Sequence, residues 1–286
     1  LEPAVSDPTR PHLDQHTGPH VGITIWTRYV ALGDSFTEGM VDVDPASPEG
    51  SEPAYAGWAD RLAARLARNA RRENVPFSYA NLAVRGRKLD DIVGPQLERA
   101  LEMGPDLVSI VGGGNDLLRP SVDLDALATK LEDAVVSIRA TGADVLMATP
   151  TDTRDAGLFK ALRGRHGVHS ANIFTIAQKH GAHVLNLWGM ASIRDWRMWG
   201  EDRIHLNTPG HERVADAAAV ALGLQPSTRD WDEPLPVADR AARADELRAH
   251  AEWVRVHAAP WVQRRVKGTS SGDAIQPKRP DLTPWA

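Results

Sequence analysis

Tyr29-Val30-Ala31-Leu32-Gly33-Asp34-Ser35-Phe36-Thr37-Glu38-Gly39 is the stretch on which the reading of this chain turns. Four residues that suit a buried strand run into Gly33, and Asp34 and Ser35 follow at once. A short, continuously apolar run bounded by glycine predicts a strand covered on both faces. A serine at the exit of such a strand sits where ligands bind in open parallel sheets, beyond the carboxyl ends. A serine hydroxyl holds its proton and is a poor nucleophile without an adjacent base. Asp202-Arg203-Ile204-His205, far downstream and just before a terminal helix, offers that base and a carboxylate. Residues three apart share one side of a turn, although they need not touch. Ser35 is therefore the candidate nucleophile, His205 the base and Asp202 the group that orients the base.

Each assignment has a competitor. Asp34 or Ser35 also suits the N-cap of a short helix over Phe36–Met40. Thr37 stands where a G-x-S-x-G elbow has its second glycine, so the motif is not that elbow. Asp195 and Glu201 are nearby carboxylates. His211 is the nearest alternative base, but Pro209-Gly210-His211 reads as a helix start.

Outward from Ser35 the chain repeats strand, loop, helix. The strands expected are Tyr29–Leu32, Phe77–Ala83, Leu107–Val111, Val145–Ala148 and Val184–Leu187. The helices expected between them are Gly57–Arg72, Leu89–Met103, Leu124–Ala140, Ala171–His180 and Gly210–Leu222. This alternation predicts an α/β three-layer sandwich around a five-stranded parallel sheet. Val41–Ala56 and Thr151–Ser170 read as long loops, which in compact domains often shape a site.

Two further blocks complete a pattern. Gly86 closes Asn81-Leu82-Ala83-Val84-Arg85-Gly86, and Asn115 lies in Gly113-Gly114-Asn115-Asp116. With the blocks at 33–39 and 202–205, the chain resembles the SGNH/GDSL hydrolases, named for a Ser, Gly, Asn and His in four separated blocks. The resemblance covers residues 28–224 and implies a flavodoxin-like fold and a serine esterase that works without a metal or other cofactor. It implies an oxyanion hole built from the backbone N–H of Ser35, the backbone N–H of Gly86 and the side-chain amide of Asn115. The substrate it implies is a small-molecule ester, with a short acyl group favoured by the low aromatic content and the lack of an obvious apolar lid.

Two other functions remain open at this point. If an alcohol or amine replaces water, the same centre is an acyltransferase. Arg85, Arg87 and the basic residues of 151–170 are then candidates for holding an anionic acceptor or acyl carrier. The other is a non-catalytic binding protein on this fold.

Composition sets the frame. The 286 residues carry a net charge of −5 and 42% hydrophobic content, which gives no reason to expect nucleic acid as a partner. No apolar run approaches the roughly 20 residues that span a bilayer, so no integral membrane association is expected. Zero cysteines exclude disulfides and thiolate chemistry. Residues 1–27, with four prolines and no basic-then-apolar leader pattern, read as a flexible tail. A cytoplasmic protein is expected, with a processed secreted form as the alternative. His12, His16 and His20 recur at helical spacing, but prolines and Gly18 argue against a helix there. Gly112-Gly113-Gly114 lacks the Gly-Lys-Ser/Thr of a phosphate loop, and reads as glycines that let the backbone pass close to substrate. Residues 225–286 are expected to form a helical extension, with one long helix or a helix pair over Val237–Val266 and an irregular tail from Lys267. Their tryptophans offer an interface to the catalytic part or to a second copy in a homo-oligomer.

Overall fold

The strands form where β-branched and small apolar residues alternate between two buried faces. The computed structural model describes residues 24–45, 47, 54–236, 253, 255–256, 272 and 274–285. In chain order the elements are β1 (Arg28–Leu32), α1 (Ser35–Glu38), α2 (Trp58–Arg72), β2 (Ser78–Asn81), α3 (Leu89–Asp91), α4 (Leu97–Glu102), β3 (Leu107–Ile110), α5 (Gly114–Leu117), α6 (Leu124–Ala140), β4 (Asp144–Ala148), α7 (Arg163–His180), β5 (His183–Leu185), α8 (Thr208–Ala221) and β6 (Arg279–Pro284). A π-helical turn, Ile92–Gln96, joins α3 to α4 around Pro95. Proline cannot donate to the helical ladder, which accounts for the break in what the sequence predicts as one helix.

Strand order is β5-β4-β3-β1-β2-β6. β1 to β5 pair in parallel, and β6 joins β2 antiparallel. Alternate residues of each strand feed two cores. Tyr29, Ala31, Tyr79, Leu107 and Leu146 pack with α2 and α8 through Trp58, Leu62, Leu66 and Val214. Val30, Leu32, Val108, Ile110 and Val145 face α3, α4, α6 and α7 through Leu89, Leu97, Leu131 and Ile173. Helices on both faces make this the expected three-layer sandwich. β1 lies between β2 and β3, so the chain leaves it to one side and then returns to the other. The exits of β1 and β3 thus form the crevice where strand order reverses, the usual ligand position in such sheets.

Three sequence expectations change. The sheet has six strands, because Arg279–Pro284, expected to be irregular, forms its edge. Pro280 and Pro284 are poor strand formers but are tolerated on an edge, where outward N–H groups have no partner to lose. Arg279 stacks over Tyr79 and Trp285, while Lys278 Nζ donates to the Glu38 and Tyr55 carbonyls and to Asp60. Second, the loop expected over 151–170 is largely helical. A 3-10 turn covers Gly157–Leu162, and α7 begins at Arg163. Third, the end of the expected tail is part of the core. Trp26 is 4% exposed, and its Nε1 donates to Asp144 Oδ2 at 2.9 Å. The rest of that tail and the helix expected over 237–266 lie outside the described residues, Trp253, Arg255 and Val256 excepted. No helix among the described residues is long and apolar enough to cross a membrane.

Candidate active site

Gly33 lets β1 turn sharply into α1. A Cβ there would lie 2.5 Å from Thr37 Oγ1 and 3.0 Å from the Val111 carbonyl. Gln96 locks the turn by a reciprocal amide pair, accepting from Gly33 N and donating to Gly33 O, both at 2.9 Å. Asp34, not Ser35, caps α1 by accepting from Phe36 N at 3.1 Å. The helix start is therefore satisfied by Asp34, and the Ser35 hydroxyl is left for other work.

That hydroxyl meets the downstream block. His205 Nε2 lies 3.0 Å from Ser35 Oγ, and His205 Nδ1 lies 2.6 Å from Asp202 Oδ2. A carboxylate only accepts, so Nδ1 carries the ring proton and Nε2 presents its lone pair to the serine O–H. Asp202 Oδ1 also accepts from Ile204 N and His205 N, each at 3.0 Å. Arg203 adopts φ 53°, in the left-handed region, and this turn brings Asp202 and His205 together. Burial pushes the Asp202 carboxyl up. The His205 hydrogen bond and charge, with the two backbone N–H donors, outweigh it and hold the pKa below the usual carboxylate range.

Asn115 stands at the exit of β3 on α5. Its Nδ2 donates to Asp34 Oδ2 and to the Arg87 carbonyl, both at 2.9 Å. Gly86 occupies a turn closed by Arg87 N donating to Val84 O at 3.4 Å, with φ 76°. Only a glycine holds that conformation without strain. Glu38 fixes the same turn. Its buried carboxylate accepts from Arg85 N at 2.7 Å and from the Arg85 guanidinium. Among the described residues no acceptor binds the N–H of Ser35 or of Gly86. Ser35, His205 and Asp202 thus form one hydrogen-bonded line, and Asn115 reaches the same crevice. Gly86 lies one residue from the carbonyl that holds Asn115.

The other polar residues of these blocks are braces. Asn81 donates to the Thr37 carbonyl at 3.0 Å and accepts from Ala83 N, tying the second block to the first. Asp116 accepts from Leu89 N at 2.9 Å, and burial raises its pKa against that bond. Gly112 and Gly113 do not line the cavity beside Ser35, contrary to what the sequence suggests. A Cβ on Gly112 would meet Leu89 at 2.8 Å, and one on Gly113 would meet His169 at 2.8 Å. Gly114 alone of the three lines the cavity beside Ser35.

That cavity, of about 220 Å³, opens on Ser35 and Asn115. Its walls are largely apolar, with Phe36, Leu118, Phe159, Ile193, Trp196 and Trp199 prominent. Sequence reasoning missed these walls, since they come from four separated segments and share no local period. His166 also lines it. Its Nδ1 donates to the Thr151 carbonyl at 3.1 Å, and burial lowers its pKa, so the ring is neutral at physiological pH.

The model of the GDSL-like lipase/acylhydrolase family matches residues 31–213, which contain every residue of this hydrogen-bonded site. The chain belongs to this family. Its members are the SGNH hydrolases, and the protein is an esterase-type hydrolase of that class. No curated protein matches the chain. Solved structures share the SGNH-type fold. An alpha/beta hydrolase enzyme from the metagenome of Lake Arreo is 22% identical, with TM-score 0.56, over 69% of this chain and 95% of its own. An acetylxylan esterase from Geobacillus stearothermophilus is 19% identical, with TM-score 0.57, over 72% and 99%. The psychrotrophic esterase EstA from Pseudoalteromonas sp. is 17% identical, with TM-score 0.51, over 68% and 96%.

Proposed function

We propose that the protein hydrolyses carboxylic esters of short acyl groups through an acyl-Ser35 intermediate. The observation that carries this reading is the continuous line from Ser35 Oγ through His205 to Asp202, with links of 3.0 and 2.6 Å. His205 Nε2 takes the Ser35 proton as Oγ attacks the ester carbonyl. Asp202 keeps the ring oriented and stabilises the imidazolium that forms. Negative charge develops on the carbonyl oxygen, where the N–H groups of Ser35 and Gly86 are unengaged donors. Asn115 joins them by exchanging one of its bonds, to Asp34 or to Arg87, for the oxyanion. His205 then protonates the departing alcohol. Water, deprotonated by His205, cleaves the acyl-serine and restores the hydroxyl.

A cavity of about 220 Å³ lies below the roughly 300–1,000 Å³ of sites for drug-sized ligands, which favours short groups over long chains. The arginines considered for an acyltransferase have other partners. Arg85 is held by Glu38, Arg154 by Asp155, Arg163 by Asp152, and Arg165 by the carbonyls of Leu117, Arg119 and Pro120. Arg87 makes only a long contact, 3.5 Å, to the Gly272 carbonyl among the described residues.

The test is hydrolysis of p-nitrophenyl esters from acetate to palmitate by wild type and Ser35→Ala. The expected result is turnover that peaks at short acyl groups and falls on the order of 10,000-fold or more in kcat in the variant. Turnover unaffected by Ser35→Ala would refute the reading.

A further inference from the structure

The cavity that opens on Ser35 contains cations that no carboxylate among the described residues matches. Arg203 and Arg194 both line it. The Arg203 guanidinium lies over two indoles, 5.4 Å from the Trp196 ring centre and 5.5 Å from that of Trp253. A cation–π contact uses none of the N–H donors of the guanidinium fork in hydrogen bonds to a carboxylate, so they can serve an anion. Among the described residues none accepts a hydrogen bond from that fork, and none pairs with it. Among the described residues Arg194 Nε is buried without a hydrogen-bond partner, and its guanidinium reaches the Trp188 carbonyl alone, at 3.4 Å.

The carboxylates that face the same space are already committed. Asp152 is bound by Arg163 at 2.7 Å and Asp155 by Arg154 at 3.3 Å. Asp34 accepts from Phe36 N and Asn115. Asp202, one residue from Arg203, is bonded to His205. Among the described residues the acids of the cavity are thus covered, while its two arginines have no carboxylate partner.

Backbone conformation adds a separate observation. Arg203 sits at φ 53°, a left-handed conformation that strains an L residue and that glycine adopts freely. A bare turn linking Asp202 to His205 has no need of a long cationic side chain there. Strain retained beside a reaction centre points to a role for the side chain.

We propose that Arg203 is an anion-recognising residue of the substrate cavity, and that the preferred ester carries a carboxylate, phosphate or sulfate on its acyl or its alcohol part. The proposal rests on the reading of Ser35 as the nucleophile. Trp196 and Trp253 flank the guanidinium, and Arg194 adds a second positive charge to the same cavity. Trp253 also donates from Nε1 to the Asp202 carbonyl at 2.8 Å, so the same ring supports both the anion site and the acid of the catalytic line.

Two matched ester pairs test this, each rate taken relative to hydroxide-catalysed hydrolysis. One pair is mono-p-nitrophenyl adipate with p-nitrophenyl hexanoate, which places the charge on the acyl side. The other is 3-carboxy-4-nitrophenyl acetate with p-nitrophenyl acetate, which places it on the alcohol side. In wild type, kcat/KM is expected to favour the anionic member of at least one pair. That preference should fall about tenfold or more in Arg203→Gln and less in Arg203→Lys, which keeps the charge but not the fork. It should also shrink as sodium chloride is added to wild type, a readout that needs no variant to fold. A stacking clip with no role in recognition would change both members of a pair together and leave their ratio unmoved. Neutral-ester turnover that requires Ser35, with no preference for either anionic ester, overturns the proposal alone. So does a preference that survives Arg203→Gln or that is insensitive to salt. Neutral-ester turnover that persists in Ser35→Ala overturns the esterase reading beneath it.

Discussion

His205 and His211 lie six residues apart and do opposite things. His205 is 16% exposed, its two ring nitrogens are engaged by Asp202 and Ser35, and it sits on an irregular turn. His211 is 1% exposed, belongs to α8, and uses Nδ1 to accept the Trp58 N–H at 3.2 Å. That N–H is one of the donors left unpaired at the start of α2, so His211 caps a helix it does not belong to. Burial is the main reason its pKa falls to about 3. A buried imidazole that must stay neutral cannot take a proton from substrate at physiological pH. The difference teaches that a base is made by coupling and access, and burial alone disables one.

The largest effect should come from breaking the coupling on the His205 side. Asp202→Asn keeps the shape of the turn but removes the acceptor that fixes the tautomer. It should lower kcat on the order of 10,000-fold, with KM little changed, in steady-state ester assays. A loss of only a few-fold would mean that His205 orients itself without the carboxylate.

Asn115→Ala sharpens the comparison by leaving the His205 line whole. Removal of one oxyanion donor should cost on the order of 100- to 1000-fold in kcat, with the fold retained by circular dichroism. Normal turnover by the folded variant would remove Asn115 from the hole.

The smallest effect concerns His211, and it is read in stability. Its folded pKa of about 3 lies below the ordinary 6.5, so below pH 6.5 the unfolded chain binds a proton that the folded one refuses. The stabilisation is therefore complete above pH 6.5 and is lost as pH falls towards 3. Between about pH 7.5 and about pH 5 wild type should lose about 2 kcal/mol through this group. Asp202, held low, adds acid sensitivity in the same direction only below the ordinary carboxylate range. His211→Asn retains an acceptor for the Trp58 N–H but does not titrate. In urea unfolding it should start less stable and show a flatter pH dependence. An unchanged slope would assign the acid sensitivity to other groups.

What the sequence made legible follows the same division. Ser35, Asp202 and His205 could be read because each is placed by local structure: a strand exit, a glycine and an i, i+3 turn. The five parallel strands were legible because each is continuously apolar. β6 was not, because Pro280 and Pro284 speak against a strand in isolation, and only the exposed edge of β2 makes one tolerable. The start of α7 was hidden by Gly164 and Gly167 and by a weakly amphipathic, basic sequence. The role of Gly112 and Gly113 was misread because their neighbours Leu89, Ile92 and His169 are distant in the chain. Of the basic residues that stand out in the sequence, Arg85, Arg163 and Arg165 are paired or bound to carbonyls in three dimensions. Arg203 passed as a spacer between Asp202 and His205, and its stacking partners come from residues 196 and 253.

The most direct test of the account is to treat folded protein with a fluorophosphonate and locate the adduct by mass spectrometry. One equivalent on Ser35, suppressed in His205→Ala and formed normally in His211→Asn, is the predicted result. No adduct on folded wild type, or an adduct on Ser35 that forms as fast without His205, would contradict it.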